Sequence, residues 1–411
     1  MSAFLWSLVG LYAIIVVPWI AATFWVRRFQ VREEMRIEPR PDDPPVADSP
    51  SLRVYVAAHN EENRIGACLT RLLAQNYGNF RITVVNDRSE DRTSERVREI
   101  MQRDSRVELV EVSELPAGWV GKTHALATAT KETRSEYLLF VDCDCRLAAG
   151  GIAAVMQKVQ TEGLEFVTLW PRLRLVSPAE RLLTPAVSWL LGLWTLLGSR
   201  EAADASQTVL GNGQFMLFSR SAYERIGGHG EVSAELAEDI MMARRVEKLG
   251  LKRWAGWGKG IYLSTRENDF SAAVNASTRV VIGSLAKPWR VLVSTFLVSG
   301  GLAAPVNVGL PALGLAVWTG SVPILCVCAL VVVQVLAMHF VTRRLFSMTL
   351  ETVPSVWSLI LGGQILAFLL WRVYWIITGR GQVRWGNTTY TVRGSRIVAA
   401  PADPAPPVAV R

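Results

Sequence analysis

Cysteine is scarce in this 411-residue chain, and what there is falls in the wrong pattern for a zinc site. Four of the five cysteines form two Cys-x-Cys pairs, Cys143/Cys145 and Cys326/Cys328, and neither has a second Cys or His pair at zinc spacing. They read as buried, reduced thiols. No stripe of Lys and Arg interleaved with aromatics is present, so the net charge of +8 does not point to nucleic acid. It suits anionic lipid headgroups instead. There is no internal repeat either, which removes solenoids and propellers. The largest absence is local: Val291–Val341 contains no Asp, Glu, Lys or Arg.

Long uncharged runs explain a mean hydropathy of +0.24. Phe4–Val26 is an uncharged run of 23 residues, about 34 Å as a helix and long enough to cross a bilayer. It is too long for a signal-peptide core and lacks a small-residue cleavage site, so it reads as a signal anchor. Val291–Val341 has room for two spans, broken near Gly314 to Pro323, and Ser355–Thr378 is a further candidate interrupted only by Arg372. Arg27, Arg28 and Arg32 follow the first run and place the next domain in the cytoplasm by the positive-inside rule. Arg343 and Arg344 fit that orientation. A fourth full span would put Arg380, Arg384, Arg393 and Arg396 outside, against the rule. Either Ser355–Thr378 is re-entrant or interfacial, or the span count is off by one.

Between these runs the pattern changes. After a Pro- and Asp-rich linker, apolar strands alternate with helical stretches from Arg53 to about Lys287. Strands are expected at Val54–Ala57, Ile82–Val85, Val107–Val110 and Tyr137–Val141. Helices are expected at Asn60–Gln75, Thr93–Arg103 and Gly121–Lys131. This alternation predicts an α/β domain with a mostly parallel sheet, whose ligand lies outside the C-terminal strand ends. The expected organisation is an anchor (1–26), a basic, Pro-rich linker (27–50), the α/β domain (51–287), a membrane region of two or three helices (288–378) and a tail (379–411). Leu182–Gly198 stands apart, apolar all round but short for a span. It is either a buried core helix or an interfacial one with Trp189 and Trp194 at headgroup level.

The residues that carry chemistry sit at strand and helix ends. Tyr137–Val141 runs into Asp142-Cys143-Asp144-Cys145; continued strand alternation would point both carboxylates one way and both cysteines the other. Paired carboxylates suit Mg²⁺ or Mn²⁺, which share their shell with substrate phosphates. An Asp-x-Asp also occurs in ordinary surface turns, so its surroundings decide. Asn60 can cap the helix after the first strand, with Glu61 and Glu62 complementing its dipole. Asp87 ends the second strand, where it could accept from a base or ribose, or serve as a plain turn Asp. The loop Leu115–Lys122 ends in Gly-Lys at a helix start, which suits a phosphate but lacks Walker spacing. Glu238 and Asp239 open an amphipathic helix, as caps or as something more.

Taken in order, Val54–Glu62, the Asp87 strand end, Asp142-x-Asp144, Gly211–His229 and Glu238-Asp239 resemble the family 2 glycosyltransferases and their GT-A nucleotide-sugar fold. The resemblance covers about residues 52–270. The Pro116–Lys122 loop and the apolar C-terminal runs look most like a membrane-bound, lipid-directed branch associated with hopanoids, carotenoids and glycolipids. The resemblance implies a UDP- or GDP-sugar donor, a lipid acceptor and Mg²⁺ or Mn²⁺. It assigns Ala57, Glu61 and Asp87 to the nucleoside, Lys122 and Asp142 to the nucleotide, Asp144 (with Asp142) to the metal and Asp239 to the general base. Glu238, Gln214, His229 and Trp257 are secondary candidates near the acceptor; His229 could equally be a hydrogen-bonded turn histidine. Ala57 stands where the family often has Pro, and Asn86-Asp87 where it often has Asp-Asp. No Gln-x-x-Arg-Trp follows Glu238-Asp239, and that motif marks processive synthases, so transfer of a single sugar is expected. A non-catalytic membrane scaffold of the same fold is the alternative, although a scaffold has no physical need for this acidic set.

Overall fold

The computed structural model describes residues 2–28, 37–39, 41, 49–198 and 211–399. Most of the expected linker and the last part of the expected tail lie outside the described residues.

The N-terminal half of the α/β domain is built from β1 (Leu52–Ala58), α2 (Ile65–Leu73), β2 (Phe80–Asp87), α3 (Thr93–Met101), β3 (Val107–Val112), α4 (Gly121–Thr130) and β4 (Tyr137–Asp142); α1 (Ser2–Arg28) precedes them. After β5 (Cys145–Leu147) come α5 (Gly151–Glu162), β6 (Phe166–Trp170), β7 (Arg172–Leu175), α6 (Pro178–Gly198), β8 (Phe215–Ser219), α7 (Arg220–Arg225), α8 (Glu238–Lys248), β9 (Arg253–Trp257) and β10 (Tyr262–Arg266). The main sheet has the order β3-β2-β1-β4-β8-β6-β9. Strands β1 to β4 are parallel, and β8 alone runs against its neighbours β4 and β6. The expected mostly parallel α/β sheet is therefore present.

Both faces of this sheet are covered, which is why its central strands are apolar at nearly every position. Val54, Val56, Ile82 and Val84 pack with Leu69 and Leu72 of α2 and Val155 and Val159 of α5. Tyr55, Val85 and Phe140 face the other way, against Leu126 of α4 and Met242 and Val246 of α8. Strand order reverses between β1 and β4, which stay paired to Ala57 and Asp142, so the chain leaves their C-terminal ends in opposite directions and opens a crevice, the place where such sheets bind ligands. A small sheet, β5-β10-β7, lies beside it.

The helical region follows as α9 (Phe270–Leu285), α10 (Pro288–Gly301), α11 (Ala304–Asn307), α12 (Gly309–Thr319), α13 (Val322–Thr349) and α14 (Val356–Ile377). Among the described residues, α1, α13 and α14 are long and apolar enough to cross a membrane, and α9 with α10 forms a pair bent by 120°. The expectation of two spans within Val291–Val341 is not met. Only α13 has the length; Gly300-Gly301, Pro305 and Pro311 divide the first part into short helices. Large apolar side chains such as Phe4, Leu11, Ile14, Val332 and Leu336 remain exposed on α1 and α13, as lipid-facing residues would. Helix α6 packs into this layer: Leu183, Ala186 and Leu190 are buried, Trp189 stacks on Trp19 at 5.7 Å and Trp194 donates to Ser294 at 2.8 Å. One face of the helix is thus buried in this layer, while Trp189 and Trp194 stay half-buried against α1 and α10.

Residues 378–399 correct the expected tail. They form β11 (Thr378–Trp385), β12 (Thr388–Arg393) and β13 (Arg396–Ala399), an antiparallel sheet joined by the two-residue loops Gly386-Asn387 and Gly394-Ser395. Tyr390 and Val392 are buried on the helical layer, and the sheet folds back onto the α/β domain.

Candidate active site

Each carboxylate reaches the crevice by a different route. Asp87 and Asp142 are the last residues of their strands, and the parallel register places Ala57 opposite Asp142. Asp144 is not on a strand. β4 stops at Asp142, and Cys143 and Asp144 turn the chain into β5. Cys143 and Cys145 are buried as expected, Cys143 Sγ meeting the Ala57 carbonyl at 3.3 Å, whereas Cys326 and Cys328 on α13 are only half-buried. Asp144 is steered by long-range partners instead: Gln214 Nε2 donates to both its oxygens (3.1 and 3.0 Å), Ser264 Oγ donates at 3.0 Å, and Arg266 Nε lies 3.8 Å away. Gln214, a secondary candidate for the acceptor, is thus a buried brace for Asp144.

Lys122 bridges the two halves of the site. Its Nζ lies 2.8 Å from Asp142 and 2.9 Å from Glu238. Burial would discharge the ammonium, but the two carboxylates outweigh it and hold its pKa well above the usual lysine range. Burial also raises Asp142, against the opposing pull of Lys122. Asp239 follows Glu238 in the first turn of α8 and accepts from the Gly213 and Ile240 amides, both at 2.8 Å. Despite these bonds, burial and the neighbouring Glu238 charge push it up to about 7. Gly213 is the hub: a β-carbon there would stand 3.2 Å from Lys122 Nζ and 3.4 Å from the carboxylate oxygens of Asp239 and Glu238.

Glu61 stands beyond the end of β1, paired with Arg64 at 3.5 Å and pushed up to about 7, by burial first and then by Asp144 and Asp142. Asn60 is not a helix cap. It has φ +57° and accepts from the Glu90 amide at 2.8 Å, while α2 begins only at Ile65. Its short polar side chain suits that backbone and ties the two strand-end loops together. Asp87 is buried beside Arg88 (2.8 Å), and His59 Nδ1 is 2.6 Å from its carbonyl. His229 and Trp257 are not brought to the carboxylates. His229 is buried, bonded through Nδ1 to Tyr223 at 2.7 Å and packed on Phe140; burial pulls it down to about 3, so it is neutral. Trp257 ends β9, separated from β4 by two strands, with its ring 5.6 Å from Trp170.

The C-terminal sheet forms a wall of the site that motif reading missed. Gly121, at the start of α4, donates to Tyr390 Oη at 3.3 Å. Leu236 donates to the Ser395 carbonyl at 3.1 Å and Arg396 pairs with Glu235 at 2.5 Å, both just before Glu238. The signal for it was present: alternation in Thr388–Arg393 between two Gly-containing turns.

Carboxylates gathered at a parallel-sheet switch point lie where α/β sheets bind their ligands. Residues 53–227 match the family described as Glycosyl transferase family 2. Over 217 residues it is 26% identical to 4,4'-diaponeurosporenoate glycosyltransferase of Staphylococcus haemolyticus, covering 51% of this chain and 55% of that protein. It is 27% identical over 208 residues to the probable glycosyltransferase YdaM of Bacillus subtilis, covering 49% and 47%. The chain thus spans about half the length of these curated relatives. A solved mannosyltransferase of Pyrobaculum calidifontis, in complex with GDP-Man and Mn²⁺, aligns at 18% identity and TM-score 0.49, over 79% of this chain and 97% of that one.

Proposed function

We propose that this protein is a membrane-bound, inverting glycosyltransferase that moves a single sugar from a UDP- or GDP-sugar to a lipid acceptor. The observation that carries the reading is Asp239, a half-buried carboxylate raised to about 7 and aligned by two backbone amides beside the crevice. A general base works best with a pKa near the working pH. Asp239 takes the proton of the acceptor hydroxyl as its oxygen bonds to the anomeric carbon. The bond from that carbon to the diphosphate breaks on the opposite face, its electrons leaving with the nucleoside diphosphate. Lys122 and Glu238 hold Asp142 at the crevice, while Gln214 and Ser264 hold Asp144. Glu61, Asp87 and the β1 end at Ala57 line the nucleoside side.

Asp142 and Asp144 offer two hard oxygen ligands of the kind Mg²⁺ or Mn²⁺ takes, leaving the rest of the shell to donor phosphates and water; among the described residues no group of three or more His, Cys, Asp or Glu that could hold a metal ion by itself is present. Such a cation, bound by these two residues and the donor phosphates, would neutralise charge on the departing diphosphate. The candidate spans α1 and α13, each with arginines in its C-terminal part, support a multi-pass cell-membrane protein with a cytoplasmic catalytic domain; α14 is preceded and followed by contacts with that domain.

The test is release of nucleoside diphosphate by purified, detergent-solubilised protein given a panel of nucleotide sugars and a total-lipid extract, with Mn²⁺ or chelator. Metal-dependent release from one donor, with a new glycolipid, is the expected result. No release from any donor, with unchanged lipids, would leave the fold as a non-catalytic scaffold.

A further inference from the structure

Helix α14 is long and apolar enough to be a span, yet both of its ends are tied to the α/β domain. Just before it, Leu350 pairs with Leu173 of β7, the Glu351 amide donates to the Leu173 carbonyl at 2.8 Å, and Glu351 forms an ion pair with Arg174. At the other end β11 begins at Thr378 with no linker. The Ile377 carbonyl accepts from the Gly394 amide at 3.0 Å. Next to it, the Ser395 carbonyl accepts from the Leu236 amide at 3.1 Å and the Ile397 amide donates to the Ala234 carbonyl at 2.9 Å. A crossing helix separates its ends by the ~30 Å of the hydrocarbon core. One folded domain on one side of a bilayer cannot hold both.

The two faces of α14 differ. Leu359, Leu366, Leu370 and Val373 are buried, and a β-carbon on Gly362 or Gly363 would stand 2.0 Å from the Leu182 carbonyl of α6 or 2.6 Å from the Leu302 side chain. The helix therefore lies along α6 and the end of α10. On the opposite face Trp357, Leu361, Phe368 and Trp371 recur at helical spacing and are exposed, Phe368 at 76%. Tyr374 stacks on Trp371 at 6.1 Å, and Arg380 lies over the Trp375 ring at 5.2 Å. An apolar face rimmed by tryptophan and a cation suits the boundary between headgroups and acyl chains.

We propose that α14 is an in-plane helix, seated with its Trp357–Trp371 face in the membrane on the side of the α/β domain, and that residues 378–399 stay on that side. Resting on the membrane-bound reading above, this assigns the crossings to α1, α13 and the helices between α9 and α13. Helices α1 and α13 run parallel, Tyr12 donating to Gln334 at 2.5 Å and Arg344 to the Val26 carbonyl at 3.4 Å. Because α13 ends beside β7, its first residues lie across the bilayer, and the chain reaches them through α10, α11 and α12. Arg380, Arg384, Arg393 and Arg396 then stay with Arg27 and Arg343, as the positive-inside rule requires. The wall of the crevice stands directly on a membrane-seated helix.

Spin-label depth measurements on the full chain in vesicles of phosphatidylcholine and phosphatidylglycerol test this without turnover. The labelled variants are Trp357→Cys, Leu361→Cys, Phe368→Cys and Trp371→Cys, with Val332→Cys of α13 as reference. All carry Cys326→Ser and Cys328→Ser, and thermal melts report their folding. The four α14 labels should share one shallow depth, about 5 to 10 Å into the headgroup boundary, with Val332 far deeper. Deep labels at 361 and 368, with 357 and 371 rising toward opposite surfaces, make α14 a span and overturn the proposal. Labels on α14 in water, with Val332 still deep, overturn the bilayer contact; spin–spin broadening between copies would then give the face to a second copy of the chain. Labels in water at every position overturn the membrane reading itself, a separate failure. In cells, a green fluorescent protein fused after Arg411 should fluoresce and alkaline phosphatase at the same place should be inactive. The reverse pattern also makes α14 a span.

Discussion

The strand side of the site and the membrane side are held together by different means. On the strand side, Ala57, Asp87 and Asp142 take their places from sheet register, each within a residue or so of a strand end. The parallel ladder fixes them whatever the rest of the chain does. On the membrane side, Asp144 and Asp239 depend on partners far away in sequence: Gln214 and Ser264 for the first, the Gly213 amide for the second. Register protects the first group from single substitutions. The second group can be loosened one contact at a time.

The sharpest way to break this comparison is Asp239→Asn. It should lower kcat by about 10² to 10⁴-fold, the usual contribution of a positioned base, with circular dichroism unchanged. Loss of less than tenfold would remove Asp239 from the base role. The same variant has a stability signature. Because the folded-state pKa of Asp239 lies above its unfolded value of 3.8, the fold favours the protonated form. Its stability contribution is complete below the unfolded value and is lost as pH rises through about 7. Asp239→Asn should therefore melt higher than wild type at pH 8, with the gap closing at acid pH.

Next in size is Gln214→Ala, which removes the side chain bracing both oxygens of Asp144. Loss of such a support typically costs about 10- to 100-fold in metal affinity, so the Mn²⁺ concentration for half-maximal activity should rise while the donor KM at saturating metal moves little. An unchanged metal requirement would show that Asp144 is oriented without it.

The pH profile comes third. A base is active when deprotonated, so kcat/KM should fall as pH drops through about 7. Glu61 titrates in the same range, so Glu61→Gln should leave an acid limb belonging to Asp239 alone. A flat profile from pH 5.5 to 8 would contradict both assignments.

The smaller effects test the C-terminal wall. Gly386 has φ +58°, and a β-carbon there would stand 2.7 Å from the His59 ring. Gly386→Ala should cost about 1 to 3 kcal/mol of stability and raise the donor KM through the His59–Asp87 contact. Arg396→Ala, removing a largely exposed partner of buried Glu235, should cost about 1 kcal/mol or less, because Ser395 still donates to Glu235 at 2.8 Å. If both leave melting and kinetics untouched, the sheet is an attachment and not part of the site.

Much of this was legible in the residues because it is local. Apolar strands ending in acids, and helices between them, follow from periodicity and chain punctuation, and these put Asp87 and Asp142 where they are found. Asn60 was misread because a residue before a helix usually caps it, whereas here a left-handed turn hands its side chain to the neighbouring loop. Asp144 was placed on a strand because alternation does not say where a strand stops. Residues 378–399 read as a tail in the sequence because the signals of their hairpins are short, and three strands are stable only with a surface to cover.

By itself, the sequence determined the alternating core, the apolar helices and the inventory of acids, because periodicity and burial act over a few residues at a time. Only the tertiary structure decided which acids meet. Lys122 joins Asp142 to Glu238, and Gln214 and Ser264 turn Asp144. The C-terminal sheet closes the wall, and His229 is left buried behind the site. Charges withdrawn from water must find partners wherever the fold supplies them, and sequence distance carries no information about that search.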